Sequence, residues 1–309
     1  VTNPGPAPKP ADAPPRPPPA LGFNVEPEAV ADIPCRTGEN PFWHPLEKRL
    51  YWVDIPNGLL FRYAPMSRRS ERFEIGTPVG GFTIQEDGQL LLFMAKGAVC
   101  LWHEGRMRTV IEALPDEQEN RFNDVIADPE GRVFCGTMSP PHRLGRLYRL
   151  DPDGTISVVL DGVGTSNGLG FSPDLKTLYY TDTRTQEIHI FNYDRTSGAI
   201  TNRRVFATIP EPDGKPDGLT VDADGCVWSA RWDGNCLVRY NPTGKLVACI
   251  PFPVRKVSSL TFGGDNLTDI YVTTAGGHIR DTDGPQAGAL FHLNVGVRGR
   301  PEFLSRIRV

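Results

Sequence analysis

Four short polar motifs carry the residues in this chain that could do chemistry: Gly38-Glu39-Asn40-Pro41, Arg121-Phe122-Asn123-Asp124, Ser166-Asn167-Gly168 and Pro216-Asp217-Gly218. Each lies about 11 to 13 residues before an apolar run, centred on Trp52, Phe134, Tyr179 and Trp228 respectively. In a radially repeated sheet, equal offsets along the chain become equal positions in space. Glu39, Asn123, Asn167 and Asp217 would then face one another as a ring of oxygen-bearing side chains, a site for a metal or a substrate. Two carboxylates in a semi-enclosed mouth repel, which raises the pKa of one unless a cation sits between them. Oxygen donors suit a hard divalent ion, Ca²⁺ first, with Mg²⁺ or Mn²⁺. Because no His or Cys biases the choice, Zn²⁺ and Fe²⁺ stay open. Singly, Pro-Asp-Gly and Asn-Gly are ordinary turns and Glu39 an ordinary surface acid; the shared offset is the signal.

The elements that must position this ring are strands. From about residue 22 onward the chain consists of short β-branched and aromatic runs punctuated by Gly, Asp and Pro, and no segment keeps a helical period for three turns. Asp-Gly pairs at Asp87-Gly88, Asp153-Gly154, Asp224-Gly225 and Asp233-Gly234 read as hairpin turns. Six apolar runs, centred on Trp52, Leu92, Phe134, Tyr179, Trp228 and Tyr271, recur at about 40 to 49 residues, the length of one propeller blade. The fold class expected is all-β: a six-bladed β-propeller. The strand before each run (125–127, 169–171 and 219–221) lines the central channel, which puts the motifs at one mouth. Gly80-Gly81 and Ser258-Ser259 hold the matching place in the other two blades, leaving room for a ligand. The ring must close, either through a strand from about 23–33 or through one from about 302–309.

The 309 residues are 39% hydrophobic and 23% charged, with a formal net charge of −4. That balance gives no electrostatic reason to expect nucleic acid or an anionic membrane as partner, and no run of about 18 apolar residues spans a bilayer. Residues 1–21, rich in Pro and Ala, read as a flexible, polyproline-like tail outside the catalytic domain at 22–309. The run Pro14-Pro15-Arg16-Pro17-Pro18-Pro19 also has the form of an SH3-type ligand. Cys35, Cys100, Cys135, Cys226, Cys236 and Cys249 are scattered without a CxxC, as expected of reduced structural thiols in a cytoplasmic protein. The six histidines show no paired ligand spacing. Gly164-Thr165-Ser166-Asn167-Gly168 fits the G-x-S-x-G pattern but runs into a strand rather than a helix, so a serine nucleophile is not expected. Asn266-Leu267-Thr268 fits a glycosylation acceptor and is read as idle.

From about residue 34 to the C-terminus the sequence resembles the senescence-marker-protein/gluconolactonase/luciferin-regenerating-enzyme family. The likeness is densest from Asn120-Arg121-Phe122-Asn123-Asp124 through Asp128 and Gly131 to Gly136-Thr137-Met138. Ser166-Asn167-Gly168 and Pro216-Asp217-Gly218 add to it. The resemblance implies a six-bladed propeller with one divalent metal near the channel mouth, hydrolysing small sugar-acid lactones. It places Glu39, Asn167 and Asp217 at metal-ligand positions and Arg121 and Asn123 at substrate-contacting positions. Asn40 departs from the family pattern, which more often has a small residue between the Glu and the Pro; this bears on pocket shape rather than on the ligand set.

The mechanism expected is attack of water on a metal-polarised lactone carbonyl, with Asp217 as candidate general base and Arg121 and Asn123 holding the sugar. Two other uses of the scaffold stay open. One is a different metal-dependent hydrolase, for organophosphates, acyl-homoserine lactones or other esters. The other is a calcium-binding propeller without catalysis.

Overall fold

The computed structural model describes residues 18–140 and 142–308. Those residues form six four-stranded antiparallel sheets. Blade 1 holds Gly38–His44, Arg49–Asp54, Leu59–Ala64 and Arg69–Glu74. Blade 2 holds Val79–Ile84, Leu90–Met94, Val99–His103 and Arg106–Ile111. Blade 3 holds Phe122–Ala127, Val133–Thr137, Gly145–Leu150 and Ile156–Val163. Blade 4 holds Ser166–Phe171, Thr177–Asp182, Glu187–Asp194 and Ala199–Thr208. Blade 5 holds Lys215–Val221, Val227–Trp232, Cys236–Tyr240 and Leu246–Pro251. Blade 6 holds Lys256–Gly263, Asp269–Ala275 and Leu290–Asn294, with Glu28–Ala31 as its fourth strand.

The first strand of each blade touches the first strand of the next, and the sixth touches the first, so the six inner strands close a ring. Among the described residues, helix is confined to one four-residue turn, Arg280–Asp283, and two 3-10 turns. The six apolar runs seen in the sequence are the second strands. They are buried on both faces because each blade is sandwiched between two neighbours. In Leu90–Met94, Leu90 and Leu92 pack towards blade 1 residues such as Tyr51 and Val53, while Leu91 and Phe93 pack towards Phe122 and Val133 of blade 3.

Ring closure uses the N-terminal of the two segments that sequence offered. Ala29 faces Phe291 and Glu28 faces His292 across the last blade. The C-terminal segment does something else and runs across the face opposite the mouth. Ser305 N–H donates to the Ile84 carbonyl (2.8 Å), Arg306 N–H to that of Gly131 (2.9 Å) and Arg308 N–H to that of Pro152 (2.8 Å). It closes the channel from below.

Residues 1–17, which include most of the expected tail and most of the proline run, lie outside the described residues. Leu21, at the tail's expected end, exchanges two backbone hydrogen bonds with Cys249 on the edge of blade 5. All six cysteines are free and buried. Among the described residues, no helix is long and apolar enough to cross a membrane.

Candidate metal and substrate site

Every inner strand breaks its register at the mouth. The irregularities fall between Glu39 and Phe42, Val79 and Gly81, Phe122 and Val125, Ser166 and Leu169, Pro216 and Leu219, and Val257 and Ser259. In blades 3, 4 and 5 two residues stand against one on the partner strand: Asn123-Asp124, Asn167-Gly168 and Asp217-Gly218. A bulge bends the strand and re-aims side chains, so the motif residues leave the regular inside–outside alternation here. Gly168 belongs to this geometry: a Cβ there would lie 2.3 Å from the Leu219 amide nitrogen of the next inner strand. In blade 1, Glu39 stands one residue ahead of the bulge, and its side chain is one methylene longer than an aspartate.

The four expected ring members are all buried, Glu39 and Asp217 at 3% exposure and Asn123 and Asn167 at 5%. Contacts tie the two asparagines together, and Glu39 and Asp217 lie close enough for each charge to be felt. Asn123 Nδ2 donates to the Ser166 carbonyl (2.8 Å) and to Asn167 Oδ1 (3.3 Å). One guanidinium nitrogen of Arg121 donates to Asn123 Oδ1 (2.7 Å) and to the Phe122 carbonyl (2.9 Å). Asn167 Nδ2 donates to Thr183 Oγ1 (2.9 Å). The Asn40 amide donates to Glu39 Oε2 (3.2 Å).

Asn40 adopts a positive φ of 48°, and its Oδ1 accepts the Phe82 N–H from blade 2. It occupies the space beside Gly81. Here the larger side chain fills a gap between two blades and leaves Glu39 in the mouth.

Sequence reasoning left two members of the site without a role. Asp124 is buried beside the ring, and its Oδ1 has no hydrogen-bond partner. It sat inside a recognised motif, but strand alternation places neighbouring residues on opposite faces; only the bulge admits both Asn123 and Asp124. Thr183 follows the last residue of the second strand of blade 4, where no motif marks it.

Charge is the dominant property of the mouth. Burial pushes the Glu39 carboxyl well above the usual range, and Asp217 and Asp124 push it further. Asp217 rises for the same two causes, burial and then Asp124, against a hydrogen bond from Asn167 and the field of Arg121. Asp124 is raised by burial to about 7, with Arg121 opposing. Arg121 is pushed down by burial while all three carboxylates hold it up. Three acids thus face one guanidinium, an excess of acid that a divalent cation would neutralise. Among the described residues no three Asp, Glu, His or Cys side chains gather closely enough to hold an ion by themselves. An ion here therefore depends on amide oxygen as well, and with Glu39 and Asp217 the oxygen of Asn167 completes a hard-donor set. The residues fit such a cation. Three of the six histidines serve elsewhere: His44 contacts the Gly88 carbonyl, His189 contacts Arg203 and His292 contacts Asp269.

Known proteins share this architecture. Residues 37–276 match the SMP-30/Gluconolactonase/LRE-like region, and the chain belongs to that family. It is 46% identical over 287 residues to pentonolactonase XacC of Haloferax volcanii, covering 91% of this chain and 98% of that one. It is 33% identical over 290 residues to human regucalcin, covering 89% and 97%. Among solved structures, a calcium-binding regucalcin from Agrobacterium tumefaciens superposes with a TM-score of 0.85 at 25% identity, covering 92% and 98%. A luciferin-regenerating enzyme superposes with a TM-score of 0.81 at 26% identity, covering 88% and 96%.

Proposed function

We propose that this protein is a divalent-metal-dependent lactonase that opens small sugar-acid lactones. The observation that carries the reading is the buried excess of carboxylate at the mouth: Glu39, Asp124 and Asp217 against Arg121 alone. The 46%-identical relative is a pentonolactonase, which favours the lactone of a five-carbon aldonic acid. Calcium is the ion of choice, supported by the hard oxygen donors and by the calcium-binding regucalcin neighbour.

Glu39, Asn167 and Asp217 would hold the ion, which when bound supplies Lewis acidity to the lactone carbonyl. Asp217, placed beside the ion, takes a proton from the attacking water. Arg121, anchored on Asn123 Oδ1 and the Phe122 carbonyl, keeps further N–H donors for the hydroxyls and ring oxygen of the sugar. Water adds to the carbonyl carbon, the ring C–O bond breaks, the departing oxygen takes the proton that Asp217 received, and the product is a hydroxy acid that releases one proton at neutral pH.

Proton release on adding xylono- and gluconolactones to chelator-stripped protein tests this, read above a blank without enzyme. Acceleration restored by Ca²⁺ or another divalent ion is expected. Binding of the ion without acceleration of any lactone would overturn the lactonase reading.

A further inference from the structure

Among the candidate ligands at the mouth, Asn167 is the one with a choice. A carboxylate offers oxygen on either side, whereas a carboxamide turned the wrong way presents an NH₂ to a cation. Something must decide the orientation.

The chain's own hydrogen bonds supply the decision. Thr183 Oγ1 lies 2.8 Å from the Pro216 carbonyl oxygen, which can only accept. The single hydroxyl proton is committed there, so towards Asn167, 2.9 Å away, Oγ1 can only accept. The Asn167 group facing it must therefore be Nδ2, and Oδ1 is left on the other side, against Asn123 Nδ2.

The hydroxyl is well fixed. Thr183 N–H donates to the Thr165 carbonyl (3.1 Å), and the carboxylate of the preceding Asp182 receives the Gly164, Thr165 and Arg184 amides. The partner carbonyl, Pro216, immediately precedes Asp217. One hydroxyl thus connects a candidate ligand of blade 4 to the backbone that carries a candidate ligand of blade 5.

We infer that Thr183 is a positioning residue for the metal site: its hydroxyl locks the Asn167 carboxamide with oxygen towards the ion and ties that setting to the Asp217 bulge. The inference rests on the metal reading of the mouth proposed above. It concerns affinity for the ion rather than chemistry, because Thr183 acts only through Asn167 and Pro216.

The test is Ca²⁺ affinity of the full chain, measured by competition with a fluorescent chelator, with the melting temperature of the metal-free protein beside it. Thr183→Val, which keeps the shape and removes the hydroxyl, is expected to weaken Ca²⁺ binding about 10- to 100-fold, the usual cost of losing an outer-shell partner. Thr183→Ser, which restores the hydroxyl, is expected to bind within about 3-fold of wild type, inside the scatter of a retained contact. The decisive arm is an Asn167→Asp background. A carboxylate has no orientation to lock, so there Thr183→Val is expected to cost less than about 3-fold, leaving a coupling energy between the two sites.

An equal loss in the Asn167→Asp background would show that Thr183 supports the fold rather than the amide. Unchanged Ca²⁺ binding in Thr183→Val, or an equal loss in Thr183→Ser, would also overturn the inference. If wild type binds no divalent ion at all, the metal reading itself falls and takes the inference with it. If wild type binds and the variants do not follow the pattern, only the role of Thr183 falls.

Discussion

Two sets of buried carboxylates share this propeller and are treated in opposite ways. At the turns on the closed face, Asp128 and Asp222 are saturated with donors. Asp222 receives the Asp224 and Cys226 amides, the Trp228 indole N–H and the Arg239 guanidinium. Asp128 receives the Glu130 and Arg132 amides, the Arg132 guanidinium and the Tyr193 hydroxyl. At the mouth, Asp124 Oδ1 has no donor, and Glu39 receives one amide, that of Asn40. Both sets are buried. The difference lies in what the fold has provided for their charge: everything at the turns, and too little at the mouth. Burial alone therefore does not mark a functional acid, whereas burial without compensation does.

Three perturbations would break or sharpen that contrast. Asp217→Ala is expected to have the largest effect, costing lactone turnover about 1,000-fold or more because ion and general base are lost together, while the fold survives. Proton-release kinetics and a chelator competition read both losses; wild-type Ca²⁺ affinity in this variant would remove Asp217 from the ligand set.

Next comes the opposite case. Asp222→Asn puts an NH₂ among donors and takes from Arg239 the nearer of its two carboxylate partners, so it should destabilise the protein by about 3 kcal/mol. Ca²⁺ affinity should stay at the wild-type value. Denaturant unfolding measured beside the metal titration separates the two quantities, and a loss of metal binding at native temperature would erase the distinction between the sets.

The smallest effect concerns pH. Glu39, Asp124 and Asp217 have folded-state pKa values above their unfolded ones. Their stabilising contribution to the metal-free protein is present in acid and is lost as pH rises through the folded values. For Asp124 that window runs from 3.8 to about 7. Asp124→Asn should therefore raise the stability of metal-free protein by about 1 kcal/mol or more near neutral pH, and not in acid. Saturating Ca²⁺ should stabilise wild type more at neutral pH than in acid. Melting curves across pH, with and without the ion, show whether the signs hold.

Much of this was legible in the sequence. The blade repeat was readable because each second strand is buried on both faces and must be apolar along its length, so Trp52, Leu92 and their counterparts stand out. The ring was readable because equal offsets in a closed repeat translate into equal positions. Asp124 was not assigned, since the pairing that brings it beside Asn123 depends on a bulge that residue types alone do not announce. Thr183 was hidden for another reason: its hydroxyl acts on a neighbour, and supporting hydroxyls carry no spacing signal. Nor did composition choose between the two closing segments. Glu28-Ala29-Val30-Ala31 is a weak strand by propensity, and its place is won by the open edge of Leu290–Asn294.

That closure also sets an order of events during synthesis. Glu28–Ala31 leaves the ribosome before any strand of blade 1, yet the strand it completes is the last one made. From the making of that strand until the two pair, the chain carries both halves of an unjoined seam, and blade 6 exposes an edge able to pair with another chain. The seam closes through contacts between opposite ends of the sequence, the slowest kind to form. Whatever guards the newborn protein against aggregation must work in the interval before the two ends meet.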